Sequence, residues 1–163
     1  SSVTNMREMF FQAHVFNQYI GDWNVSSVTN MREMFSEAFV FNQDIGNWDV
    51  GSVTNMRYMF LHGFEFNQDI GGWNVSGVTS TEYMFYGAIL FNEDIGNWDV
   101  SNVTNMAYMF SNSYLLDEAN AFNQNLSQWC VTNIESEPIN FGNAGTDPIW
   151  GACQDQAGNS NNN

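Results

Sequence analysis

FNQDIGNWDVGSVTNMRYMF, residues 41–60, returns as FNEDIGNWDVSNVTNMAYMF at residues 91–110, and this near-identity decides how the chain is built. Working outward from it, Trp falls at 23, 48, 73 and 98, each 25 residues after the last. Val3, Val28, Val53, Val78 and Val103 keep the same step. So do the Phe columns that begin at Phe10 and Phe16. All nine Met residues lie in two columns, beginning at Met6 and Met9, and Thr81 is the one break in them. A fixed period of a few tens of residues is the signature of a stacked repeat. There are five copies, and the last is longer: Phe110 to Phe122 is 12 residues where Phe85 to Phe91 is 6, so about six are inserted near 115–120. The register then resumes as far as Val131 and ends. The expected organisation is a five-repeat array over 1–131, a closing segment over 132–153 and a polar tail over 154–163.

Within one copy, Met6, Met9, Phe10 and Ala13 follow i, i+3, i+4, i+7, the spacing of one face of a helix. Thr4 sits where an N-cap would stand, with Asn5 beside it. Trp23 and Val25 alternate with polar Asp22, Asn24 and Ser26, the period of a short half-buried strand. Between them the chain turns, and the column Gly21, Gly46, Gly71, Gly96 supplies either a positive φ or a close approach. A unit this small cannot bury its own apolar face, so neighbours must stack. The expected fold is a right-handed solenoid of helical turn, loop and short strand, with a parallel sheet along one side. Equal positions then meet between copies. The Trp residues form one buried file, and the Asn column from Asn17 to Asn123 and the Thr column from Thr4 to Thr104 satisfy backbone groups of the turns.

Composition narrows the partners. With 18 Asp plus Glu against 3 Arg and no Lys, the net charge is −15. Such a chain repels phosphate backbones, which excludes nucleic acid and anionic membrane surfaces. An apolar fraction of 44% calls for a packed core. No apolar run reaches the roughly 18 residues of a membrane-spanning helix. The opening SSVTNMREMF is neither basic nor apolar, so any signal peptide is removed or lies upstream. The chain also opens within a repeat, as a piece of a longer protein would.

The units at 41–60 and 91–110 resemble those of the BspA-like leucine-rich-repeat surface proteins, in particular the surface protein repeat of about 25 residues. The ending WCVTNIESEPINF (129–141) and PIWGAC (148–153) is similar to the C-terminal cap of such arrays. The resemblance implies a leucine-rich-repeat-like fold, an extracellular or cell-surface location, and a role in adhesion or in protein or glycan binding.

Cys130 and Cys153 both fall in the closing part of the chain. Either they are two buried thiols or they form a bridge that staples the last copy and marks an oxidising compartment. No Cys/His spacing suits a metal. Sequons for N-glycosylation occur at Asn24, Asn74, Asn102 and Asn125. His14 and His62 stand in different columns, no catalytic motif is present, and carboxylates recur as rows, so no enzyme is expected. The row Glu8, Glu33, Tyr58, Tyr83, Tyr108 turns from acidic to aromatic along the array, beside Arg7, Arg32 and Arg57. Those tyrosines would offer flat ring faces to a sugar or a protein loop. The outward row of Asp22, Asp49 and Asp99 with intervening amides would suit Ca²⁺; ice binding, which a regular solenoid could offer, would want a flat, mildly apolar row that these charged positions do not provide. At the first copy, Val3, Met6, Met9, Phe10 and Phe16 would be open to upstream repeats or another subunit. The reading is a non-catalytic adhesion module; the alternative is a structural subunit or spacer of an extracellular filament or coat.

Overall fold

The computed structural model describes residues 2–112, 120–142 and 145–153; the polar tail, the closing segment's Asn143 and Ala144, and nearly all of the insertion lie outside them. Successive copies stack as layers, here numbered one to five over 1–25, 26–50, 51–75, 76–100 and 101–131. The layers are not built from helices and strands. Among the described residues there is no helix, and the only β pairing is six isolated parallel bridges, such as Asn5 with Asn30 and Asn30 with Asn55. The expected leucine-rich-repeat-like solenoid of helical turn and short strand is therefore overturned.

The helical pattern misled for a physical reason. Met6, Met9, Phe10 and Ala13 are the ends of two successive β-turns, closed by Met9 N–H to Met6 O at 3.2 Å and Ala13 N–H to Phe10 O at 3.0 Å. Four-residue turns placed end to end bury the same i, i+3, i+4, i+7 set that a helix buries. What separates them is the third residue of each turn. Glu8, Glu33, Tyr58, Tyr83 and Tyr108 have φ between 56° and 59°, and Gln12, Glu37 and His62 between 53° and 58°. A left-handed residue every fourth position is the type II turn pattern and stops a right-handed helix from propagating. Each such residue costs roughly 1–2 kcal/mol when it is not Gly.

Hydrogen bonds between layers offset that cost. Met6, Glu8, Phe10 and Gln12 send their N–H groups to the carbonyls of Asn30, Arg32, Met34 and Ser36 in the next layer, at 2.9–3.0 Å. The second layer repeats this toward the third through Met31, Glu33, Phe35 and Glu37. In the opposite direction, Thr29 N–H and its hydroxyl both donate to Thr4 O. The tandem turns are opened not by the Thr column but by Asn: Asn5, Asn30, Asn55 and Asn105 each accept the amide two residues on, at 3.0 Å.

The expected strand also dissolves on inspection. Side chains around Trp23 and Val25 alternate, but turns at both ends leave no room for a backbone ladder. Side chains join the layers there instead. Trp48, Trp73, Trp98 and Trp129 donate their indole N–H to Ile20, Ile45, Ile70 and Ile95 O of the layer before, at 2.9–3.2 Å. The Asn column joins the layers as the repeat suggests, although it lies at the surface and not inward: Asn42 N–H donates to Asn17 Oδ1 at 2.9 Å, and Asn67, Asn92 and Asn123 follow. The Gly column is there for close approach: a Cβ on Gly46 would lie 2.6 Å from Asp69 O.

The core is a double file of Phe rings flanked by Met, Val and Trp. Phe35 lies 4.1 Å from Phe41 within its layer and 5.6 Å from Phe60 in the next. At the far end the cap acts as a degenerate sixth layer. Its carbonyls of Ile139, Phe141, Thr146 and Ala152 accept from Tyr108, Phe110, Leu126 and Val131. Phe141, fully buried, meets Phe110 edge-on at 5.3 Å and Trp150 edge-on at 5.0 Å. Phe141 thus covers the fifth layer, and Trp150, partly buried, packs against the core beside it. Cys130 and Cys153 are bonded, 23 residues apart.

The Trp file has one member out of place. Trp48, Trp73 and Trp98 are 3% exposed, whereas Trp23 is 40% exposed because no layer lies beneath it. Trp73→Ala should cost about 3–5 kcal/mol in urea unfolding, as a large-to-small change in a sealed core does, and Trp23→Ala less than half of that. Replacing both cysteines by Ser should lower stability by about 3 kcal/mol on the loop-entropy account. Calorimetry of the double variant against the parent checks it.

Candidate functional site

The outward side of the tandem turns carries the residues singled out from the sequence. Because position 8 of each copy is left-handed and recurs at the same height in every layer, its side chains line up. Tyr58 and Tyr83 stack at 5.0 Å with 18° between their planes, and Tyr83 and Tyr108 at 4.4 Å with 10°. The tyrosines therefore present their faces to one another. Tyr83 is covered on both sides, and Arg32 and Arg57 stand over the Tyr58 ring at 5.6 and 5.5 Å. What reaches solvent is a ladder of ring edges and hydroxyls, all three residues being half-buried. Tyr86 packs against Tyr83 at 5.3 Å and 58°, widening the aromatic patch into the neighbouring column.

The arginines are held locally. Arg7 pairs with Glu8 and Arg32 with Glu33 inside their own turns, at 2.5 and 2.6 Å. At Tyr58 that carboxylate is gone, and Arg57 reaches across to Glu82 of the next layer at 2.5 Å. The site thus brings Arg32, Arg57, Tyr58, Tyr83 and Tyr108 together; Arg7 lies two layers below Tyr58 and outside the patch. Pairs this exposed stabilise the fold little and serve chiefly to position the guanidinium groups.

His14 shares its column with Phe39 and Phe64, and the three form a second aromatic row. His14 stacks on Phe39 at 4.3 Å and 1°, and Phe39 on Phe64 at 4.9 Å. Exposed Val15, Val40 and Leu90 flank it. His62, buried beside Tyr86, has its pKa lowered by desolvation, opposed by the charge of Glu37.

The acidic side is structural in its bonding. Asp44, Asp69 and Asp94 each accept the amide two residues on, from Gly46, Gly71 and Gly96, at 2.9–3.0 Å. Asn24, Asp49, Asn74 and Asp99 do the same in their own column at 3.1–3.2 Å. No group of three or more potential metal ligands forms among the described residues. Of the sequon asparagines, all four are exposed, and Asn102 donates its Nδ2 to Ser76 O.

A family profile described as Mycoplasma protein of unknown function, DUF285, matches residues 1–89 and again 65–146. The chain belongs to this family. The DUF285 repeat is related to that of the BspA-like surface proteins, but the turn-built layers carry no leucine-rich-repeat geometry. No curated protein and no solved structure matches the chain. Among the described residues of this DUF285 chain no helix is long and apolar enough to cross a membrane.

Burial, then the neighbouring Tyr108 and Tyr58, raise the pKa of Tyr83 above its ordinary 10. In the unfolded chain this phenol ionises first, so ionisation favours unfolding. Stability should hold below pH 10 and fall as pH rises through the folded value. An ultraviolet titration should show late-ionising phenols, Tyr19 among them because of its hydrogen bond to Asp22, and Tyr83→Phe should remove one of them.

Proposed function

We propose that this chain is a non-catalytic module of an extracellular or cell-surface protein, and that it binds a protein or a glycan through the side of the tandem turns. The observation that carries the reading is the stack Tyr58–Tyr83–Tyr108. A stable core does not require three polar aromatic side chains to be held half-buried at strained positions. Their hydroxyls form a spaced row of donors and acceptors beside two positioned guanidinium groups, the amphipathic chemistry enriched where proteins meet ligands. Because the ring faces are taken by each other, the ligand meets hydroxyls and ring edges, not an open platform. A hydroxyl-rich or amide-rich ligand suits that surface. The disulfide supports an oxidising location.

The test separates hydroxyls from packing. Tyr58→Phe, Tyr83→Phe and Tyr108→Phe together retain the stacked rings and delete the polar row. Against a glycan array and a panel of extracellular matrix proteins, the parent should bind at least one ligand. The triple variant should lose tenfold or more of that affinity with its unfolding midpoint unchanged. Undiminished binding by the triple variant would move the site elsewhere, with the His14–Phe39–Phe64 row next in line.

A further inference from the structure

Beside the tandem turns, an apolar stripe runs along the stack. Phe39, Phe64 and Ile89 are half-buried at one position of layers two, three and four, and Phe39 stacks on Phe64 at 4.9 Å. The residues that follow them are Val40, Glu65 and Leu90; Val40 is 38% and Leu90 47% exposed. One residue further on, Phe41, Phe66 and Phe91 are sealed in the core, so the outward side chains add nothing to it. Each of these three layers has a neighbour above and below, and the exposure is therefore lateral. Apolar residues scattered singly on a surface are ordinary, whereas contiguous ones mark an interaction surface.

Charge shows what the occupant must bring. Glu65 is exposed in the middle of the stripe, and no ion pair or side-chain hydrogen bond engages its carboxylate among the described residues. This chain has no permanent cation to spare: it lacks Lys, and Arg7, Arg32 and Arg57 are held by Glu8, Glu33 and Glu82. A second copy is equally short of one and carries the same net charge of −15. An anionic membrane is repelled on the same ground. Spacing then selects the form. The layers are joined by parallel bridges, which sets them about 4.8 Å apart. One turn of an α-helix advances about 5.4 Å, and one same-face step of a strand roughly 6.7 Å. Over the two steps from Val40 to Leu90, a helix lying along the stripe drifts by about 1 Å and a strand by about 4 Å. Only the helix stays in register.

We propose that this stripe docks an amphipathic α-helix of another polypeptide, whose apolar side carries a Lys or Arg with an apolar residue one turn away on either side. The cation meets Glu65, and the apolar residues meet Val40 and Leu90 beside Phe39, Phe64 and Ile89. Such a partner neutralises the one carboxylate that this chain leaves unpaired within an apolar surface. This inference is independent of the tyrosine site, which occupies a different column of the stack.

The probe is a synthetic helical peptide of alanine and glutamine with leucine, lysine and leucine on three successive turns of one face. Its control carries glutamate in place of the lysine. Added to the methyl-labelled chain in about 0.15 M salt, where long-range attraction is screened, the lysine peptide should shift the Val40, Ile89 and Leu90 signals. The shifts should saturate at one peptide per chain, and the glutamate peptide should bind at least tenfold more weakly. Because a net charge of −15 favours any cation, the deciding variant is Glu65→Lys, which should reverse the preference between the two peptides. Glu65→Gln should erase most of it. Unshifted core signals of Ile45 and Ile70 show that each variant keeps the stack. An unchanged preference in Glu65→Lys, or methyl shifts away from the stripe, would overturn the proposal. So would an absence of shifts at millimolar peptide. Shifts along the stripe that grow with chain concentration alone would overturn it in favour of a second copy.

Discussion

Everything in this structure depends on one constraint: alternate amides of each tandem-turn segment have no acceptor within their own copy. A helix would satisfy those amides internally, and a hairpin would satisfy them from the adjoining segment. Here the left-handed residues at positions such as Glu33 and Glu37 turn alternate N–H groups along the stack, toward the carbonyls of the copy that follows. Such a backbone is unfavourable in isolation and is held only where the neighbouring layer over-determines it. Sequence repetition and conformation are thereby one requirement seen twice. A partner one layer away must place its carbonyls at the same positions, and only a copy of the same segment does so.

This explains what was legible in the sequence and what was not. Periodicity fixed the layers, the Phe and Met files and the Asn17 column, because a column of identical residues states what lies next to what. It also pointed to a closing segment, and Cys130 and Cys153 are joined there. Local conformation was another matter. Met6, Met9, Phe10 and Ala13 satisfy both a helix and a pair of turns, and Glu8 and Gln12 carry no Gly or Asn to announce a positive φ. Among the corresponding residues that take a positive φ, only Gly87 gives that signal. Likewise Trp23 and Val25 alternate as a strand does, but hydrogen bonds from indole and amide side chains replace the ladder that would have made it one.

The same reasoning applies to the lateral surfaces. Identical residues in adjacent layers must either stack or repel. Tyrosines stack, which takes their faces out of play for a ligand and leaves the hydroxyls. Carboxylates repel; the column Asp44, Asp69, Asp94 bears that cost in three successive layers, whereas the column Asn24, Asp49, Asn74, Asp99 alternates the neutral and charged members of a pair that make the same turn-capping bond. Alternation doubles the distance between like charges without giving up the cap. With a net charge of −15, that spacing matters more here than in a balanced protein.

The two ends of the stack are not equally secured, and this sets how the molecule comes apart. In a linear array stability is approximately a sum of nearest-neighbour interfaces, so opening begins where a layer has one neighbour instead of two. The first layer is in that position, while the fifth is held by backbone bonds to the cap and by the disulfide across 130 and 153. Among the described layers fraying is therefore easier at the first than at the fifth, and parting one layer from the next releases at least five axial backbone bonds and one Phe pair. Local unfolding of this kind needs far less free energy than global unfolding. A force that parts the described layers would open them as a zipper opens, and the stapled end would be the last to yield.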